Sequence, residues 1–462
     1  MIFRRCGSVN NLNLSAMKRI HIPLALLGPL LFLTSCAKDD VSYSPITEEN
    51  ELRALLEARY GSLDSLIMPE SGDFTTIPAD PKNPITLEKV VLGKLLFHET
   101  GLALNPTKPQ GLNTYSCASC HHAAAAFQSG SKQGIGEGGV GFGLLGESRV
   151  MSMEYEDTTI DVQPIRSPTI LNAAFQDVML WNGQFGATKS NLGTETEWTE
   201  GTPKETNNLG FEGLETQAIA GLEVHRLRCD PDMVKNSGYK PLFDAAYPAI
   251  PESERYSKLN AALAIAAYER TVMANQAPFQ EWLRGVPNSL SANEIKGALL
   301  FYGKGECYQC HSGPGLNGMD FHALGMKDLE GADVHGNVDK DTRKGRGGFT
   351  KNPEDEYRFK TPTLYNLRNL RFLGHGASFS SIRDVIVYKN KAVSENVLVP
   401  ANKLSPFFAP LNLSETEIDQ LTAFVEKGLY DPNLHRYVPE SLPTGNCFPV
   451  ADDQAKADLG CN

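Results

Sequence analysis

The sequence predicts a mainly α chain built as two units of similar plan. Three observations lead there. Apolar residues recur at helical spacing in segment after segment, while alternating strand patterns are sparse. The stretch Cys117-Ala118-Ser119-Cys120-His121 has a second version in Cys307-Tyr308-Gln309-Cys310-His311. Between the two, Pro287 breaks the chain just before a helix-opening box, Ser291-x-x-Glu294.

Length and composition set the frame. A chain of 462 residues, 41% hydrophobic and 21% charged, has room for two to three ordinary globular domains. The formal charge of −12 argues against nucleic acid or an anionic membrane surface as a target. No apolar run in the body of the chain is long enough to cross a bilayer.

The N-terminus reads as an address. Lys18 and Arg19 precede an apolar run from Ile20 to Leu33, and Leu33-Thr34-Ser35-Cys36 follows. That order makes a secretory signal rather than a span. Its ending has the form of a lipoprotein signal, with Cys36 as the lipidated first residue and Met17 as the working start. The Cys36-Ala37-Lys38-Asp39-Asp40 run also resembles a surface-export signal. Residues 1–36 are thus signal and lipobox, and 37–84 a tether with an N-terminal helix.

The elements follow in order. Leu52, Leu55, Leu56 and Tyr60 share one helix face within Glu48–Tyr60, as do Val90, Val91, Leu95 and Leu96 within Leu87–Phe97. Gly130 to Gly146 is glycine-rich and aperiodic, either a spacer or a mobile cover. Ile165–Leu171 holds Pro168 and must be extended or turning, and 186–212 looks like a polar surface insertion. Helices are expected over Leu214–Leu227 and Ser257–Ala274, the second with Leu259, Leu263, Ala266 and Tyr268 inward. Beyond Pro287, helices open at Ser291, at Ser380 or Ser381, and at the Ser414-x-x-Glu417 box, the last running to Lys427. The units are then 85–286 and 287–432, with 433–462 as a C-terminal tail.

Cys-x-x-Cys-His is the attachment spacing of a c-type haem: two thiols one turn apart bind the macrocycle and the adjacent histidine reaches the iron. A zinc site would need a further Cys or His pair close by, and a redox Cys-x-x-Cys does not need the trailing histidine. Two haem c groups are therefore expected, with Cys117, Cys120, Cys307 and Cys310 as attachment points and His121 and His311 as proximal ligands. Cys6 precedes the working start and Cys36 is the anchor, which leaves Cys229, Cys447 and Cys461. A disulfide is permitted in an oxidising compartment, and Cys447–Cys461 is the first pairing to expect.

Around these pentads the chain resembles the bacterial di-haem cytochrome c peroxidase family, including its MauG-like members. The resemblance rests on Leu92-Gly93-Lys94-Leu95-Leu96-Phe97 before the first pentad, Ser167-Pro168-Thr169, Trp181-Asn182-Gly183, Phe359-Lys360-Thr361-Pro362-Thr363-Leu364, and Ser378-Phe379 with the helix at Ile382. It covers roughly residues 85–430. It implies two cytochrome c-like domains, each with one covalently bound haem. The first haem would meet hydrogen peroxide, the second would take electrons from a small cytochrome or cupredoxin, and Trp181 would relay between them. On its residue type alone Trp181 reads more readily as a core tryptophan.

Three departures from the family pattern stand out. A gapless reading puts Gly374 where the family's methionine ligand would be, so the second haem is five-coordinate or takes His375 as its sixth ligand. His375 could equally be a loop residue bonded to a haem carboxylate. No histidine lies between His122 and His225, so the first haem keeps an open face. Arg166 occupies the position of a calcium-binding asparagine. A guanidinium cannot ligate a cation, which puts calcium in doubt although Thr361 and Thr363 keep the other half of that site. Arg166 could supply positive charge there instead.

Peroxide cleavage needs a group that shifts a proton from one oxygen to the other. Leu214-Glu215-Thr216-Gln217-Ala218 matches the family helix that leads to that group, but the matching position ten residues on is Leu227. Glu223 and His225 are both candidates, with an ion pair to Arg226 and a surface histidine as the bland alternatives. His122 and His322 read as neighbours only. The sequence thus predicts a lipid-anchored di-haem peroxidase of the cell envelope, in the periplasm or at the outer-membrane surface. A MauG-like oxidase of a partner protein and a plain electron-transfer cytochrome are the rivals, and homodimerisation stays open.

Overall fold

The computed structural model describes residues 45–461 apart from Asn337. The signal, the lipobox with Cys36, Cys6 and residues 37–44 of the tether lie outside the described residues. From Pro45 onward the chain forms one compact unit.

Seven helices carry most of it: α1 Pro45–Tyr60, α2 Leu87–His98, α3 Gly213–Val224, α4 Lys258–Thr271, α5 Ala292–Tyr302, α6 Ile382–Lys391 and α7 Glu415–Ala423. Shorter helical turns and two minimal antiparallel hairpins fill the rest. In the hairpins β1 Gly139–Val140 pairs with β2 Val150–Met151, and β3 Phe321–His322 with β4 Phe359–Lys360.

Side-chain N-caps open these helices, at Ser291, Ser381 and Ser414 where the sequence places them. Thr86, Ser257 and Ser381 each accept a backbone N–H in the first turn of α2, α4 and α6. Ser291 with Glu294 and Ser414 with Glu417 form reciprocal capping boxes on α5 and α7.

Each half repeats one packing device. In α2, a Cβ added to Gly93 would stand 1.9 Å from the Ala264 carbonyl oxygen of α4. In α5, a Cβ at Gly297 would stand 2.1 Å from the Gln420 carbonyl oxygen of α7. Glycine lets the two backbones touch, and each of these helices leads toward a Cys-x-x-Cys-His turn. α3 also packs on α4, and α6 on α7. One continuous apolar core runs through both halves.

The ends of the chain cross over. α1, at the start, packs on α5 of the second half, where Arg59 donates to the Tyr302 carbonyl (2.9 Å) and its guanidinium lies over the Tyr308 ring (3.5 Å). The tail returns to the first half. Ser116 and Ser119, at the first pentad, both donate to the Pro449 carbonyl (2.9 and 3.1 Å), and Cys447 is disulfide-bonded to Cys461 as expected.

Three expectations change. The Gly130–Gly146 segment is not loose: Gln133, Glu137 and Phe142 are buried in it, and Asp458 of the tail accepts from Phe142 N (2.8 Å) and Gly143 N (3.1 Å). Leu259 points outward, while Leu263, Ala266 and Tyr268 are buried. The last helix ends as α7 at Ala423 and continues as a wider π turn over Phe424–Gly428. Residues 186–212 are mostly short turns, pinned by the buried side chains of Asn191 and Asn207. Among the described residues no helix is long and apolar enough to cross a membrane.

Candidate functional site

Both pentads open into one elongated, largely apolar cavity. Cys117, Cys120 and His121 line one end, and Cys307, Cys310 and His311 the other. Each pentad is a single tight turn, Cys117–Ser119 and Cys307–Gln309, that brings its two thiols to the same side.

The donor chemistry fits two tethered tetrapyrroles. All four thiols are unpaired. Burial pushes Cys117 and Cys310 up and holds Cys120 and Cys307 at about 12, so all four stand as thiols. His121 Nδ1 is tied to the Phe127 carbonyl (3.3 Å), and His311 Nδ1 to the carbonyls of Leu316 and Pro362 (both 3.1 Å). That tautomer leaves each Nε2 as the lone-pair nitrogen, the arrangement of an imidazole oriented for a metal. Burial lowers both rings to about 4, so both are neutral and able to ligate. Among the described residues no cluster of three His, Cys, Asp or Glu is placed to hold a metal ion by itself.

At the first end the wall is α3 and the segment around Asp161. Gln217, Gly221 and His225, four residues apart, all line the cavity. His225 is the C-cap of α3. Its Nδ1 lies 2.9 Å from Asp161 Oδ2 and its Nε2 3.1 Å from the Gln163 side-chain amide. Burial pushes the ring's pKa down, but the charge and hydrogen bond of Asp161 outweigh it and hold His225 above the usual histidine range. Glu223 is not part of the site. Its side chain is 74% exposed and pairs with Lys258 (2.6 Å), because it sits on the outer face of α3. The expected bland partner, Arg226, instead pairs with buried Glu137 (2.6 Å). Asp161 and Gln163 had no motif to announce them, since only the fold brings them to His225.

Trp181 lies in the cavity wall between the halves. Its Nε1 donates to the Arg166 carbonyl (2.7 Å), and its own carbonyl accepts from Lys360 N (2.7 Å). His375 is buried, stacks flat on Phe359 (3.7 Å, 12°) and stands 6.2 Å from the Trp181 ring. Its Nε2 has no hydrogen-bond partner and sits 3.8 Å from Asp328 Oδ1. Gly374 has φ +83°, and a Cβ there would stand 3.3 Å from the sulfur of Met326, which also lines the cavity. Thr361 and Thr363 donate to the carbonyls of Asp320 (3.0 Å) and Gly315 (2.7 Å). His122 bonds the Leu145 carbonyl (2.8 Å) and anchors the glycine-rich segment. His322, expected to be a bystander, lines the second end with Nδ1 on Ser405 Oγ (3.2 Å) and Nε2 unpartnered.

The sequence profile described as di-haem cytochrome c peroxidase matches residues 87–288, the stretch that holds the first pentad, Trp181 and His225. The chain is similar to members of the di-haem cytochrome c peroxidase and MauG family. Among this family's members, the cytochrome-c peroxidase IdrP1 of Denitromonas iodatirespirans is 28% identical over 392 residues, covering 79% of this chain and 88% of that protein. The methylamine utilization protein MauG of Methylorubrum extorquens is 26% identical over 405 residues, covering 87% of this chain and 92% of its own. A crystal structure of a MauG-like protein associated with microbial copper homeostasis shares the fold, with a TM-score of 0.54 at 21% identity, covering 79% of this chain and 95% of that one. The family is a haem family, which agrees with the cavity's donors.

Proposed function

We propose that this chain is a di-haem peroxidase that reduces hydrogen peroxide to two waters. It would take two protons and two electrons, one electron at a time, from a small cytochrome or cupredoxin. The observation that carries the reading is the shared cavity: two attachment turns with oriented histidines, and a His225–Asp161 pair at one end only. Thioether-bound haem at each pentad would supply an iron able to change its charge by single electrons.

The chain's own residues supply the rest. Asp161 holds the His225 Nδ1 proton and fixes the ring, so His225 Nε2 is the atom that accepts a proton from peroxide and returns it to the departing oxygen. The Gln163 amide beside Nε2 orients that exchange. Gly221 keeps the wall between Gln217 and His225 free of a side chain, which leaves room for a small oxidant. Trp181 relays electrons between residues 85–286, the peroxide-binding unit, and residues 287–432, the electron-entry unit. His375 is the nitrogen available to the second haem. Lipid anchoring at Cys36 would place the enzyme in the envelope, with no need for calcium.

Stopped-flow mixing of the oxidised holoprotein with peroxide tests the reading. A rapid change in the first haem's spectrum, followed by donor-dependent turnover, is expected. No spectral change, or no thioether-linked haem by pyridine haemochrome assay, would reject it. The MauG relative supports a second reading, peroxide-driven oxidation of a partner protein. That reading gains if the oxidised state persists beside a reduced small cytochrome but decays on a protein substrate.

A further inference from the structure

Four arginines are buried among the described residues: Arg149, Arg166, Arg270 and Arg346. Three of them have acidic company. Arg149 pairs with Asp452, Arg270 pairs with Glu212 and Glu215, and the charges of Asp355 and Asp177 reach Arg346. Arg166 has none. Burial alone acts on its charge, and among the described residues its only charge-facing neighbour is the Phe372 ring, 5.9 Å from the guanidinium carbon, with no carboxylate to pair with it.

Its surroundings are otherwise well built. The side chain is 1% exposed and lines the central cavity. Nη1 donates to the Ser131 carbonyl (3.0 Å) and Nη2 to the Ser129 carbonyl (3.2 Å), which holds the guanidinium plane in place. Nε is a buried donor with no acceptor. The main chain of Arg166 also ties the halves together: its N–H donates to the His375 carbonyl (3.1 Å), and its carbonyl accepts from Trp181. A guanidinium does not give up its proton at any working pH, so it cannot escape burial by becoming neutral. An uncompensated buried cation is strongly unfavourable, and pairing is the usual remedy.

We propose that Arg166 is the anion site of this cavity and takes an ionised side-chain carboxylate of a tetrapyrrole. The proposal rests on the haem reading given above and adds to it. A carboxylate of the seated cofactor would match the charge that no acidic side chain among the described residues meets. The residue that meets the carboxylate is also the residue that fixes Trp181 and the His375 loop.

The test uses holoprotein matured with covalent haem. Redox titrations from pH 5 to 9 are followed in the visible spectrum for the wild type, Arg166→Lys and Arg166→Gln. The glutamine variant should keep its haem but shift the ferric-to-ferrous ratio about tenfold or more toward ferric, ~59 mV for one electron. A new pH dependence should appear as the uncompensated carboxylate titrates, and lysine should restore most of the shift. Retained haem with an unchanged potential and pH slope in Arg166→Gln overturns the proposal. If the glutamine variant does not mature, Arg166→Lys decides, through the haem carboxylate bending band in resonance Raman spectra: a shift is expected, and an unmoved band overturns the assignment. A wild-type potential that moves with added acetate at constant ionic strength also overturns it, because the guanidinium would then be taking a free anion. A wild type without thioether-linked haem would instead reject the underlying reading.

Discussion

His225 makes the sharpest claim on a single side chain. Replacing it with glutamine removes the proton-accepting nitrogen and should lower kcat/KM for peroxide by ~10²–10⁴-fold. Glu223→Gln should leave kcat/KM unchanged, since that carboxylate faces Lys258 and solvent. Asp161 keeps the imidazole above its ordinary range despite burial. Proton acceptance needs the neutral ring, so wild-type kcat/KM should rise with pH through that elevated value. Asp161→Asn should move the rise to lower pH, which the pH–rate profile reads directly. The same pair bears on stability. His225 has a raised pKa, so its contribution is complete below the unfolded value near 6.5 and fades as pH rises through the folded one. Asp161 is lowered, so its contribution is present above the unfolded value near 3.9 and fades as pH falls through the folded one. The pair therefore stabilises the fold most between about pH 4 and 6.5. Chelators should leave the holoprotein's spectrum unchanged, because Arg166 stands where the resemblance expected a calcium ligand. The cavity's four thiols and the two histidines beside them were legible from spacing alone. The choice between His225 and Glu223 was not, because they lie two residues apart on α3 and only its rotation against α4 shows which faces inward.

At the scale of elements, the readable features were those whose cause is local. Ser291, Ser414, Ser257 and Ser381 stop or start helices through hydrogen bonds to their own first turn, and the sequence shows both partners. The glycine-rich segment failed as a local reading because its order comes from the tail, through Asp452 and Asp458. The π turn after Ala423 likewise follows from packing rather than from any residue signal, and Phe424 is wholly buried there. Gly93 and Gly297 carry the helix crossings beside each pentad. Gly93→Ala and Gly297→Ala should each push two backbones apart and lower stability by about 1–3 kcal/mol, measured by denaturant unfolding. Ser414→Ala should cost about 1 kcal/mol by loss of the cap.

For the whole molecule the crossed ends matter most. The halves share one core, α1 sits on the second half, and the tail braces the first. Cutting at Pro287 should therefore give two fragments that unfold on their own, as circular dichroism would show. Breaking the Cys447–Cys461 bridge should lower stability by about 2–4 kcal/mol, with the first half loosening before the second in hydrogen exchange. The two Ser hydroxyls that grip the Pro449 carbonyl have one more effect. A ribosome delivers that carbonyl more than three hundred residues after Cys117, so the attachment turn spends its early life without a back wall. On the haem reading proposed above, porphyrin installed on Cys117 and Cys120 before the tail docks would meet an open doorway, and the last stretch of polypeptide would then shut it.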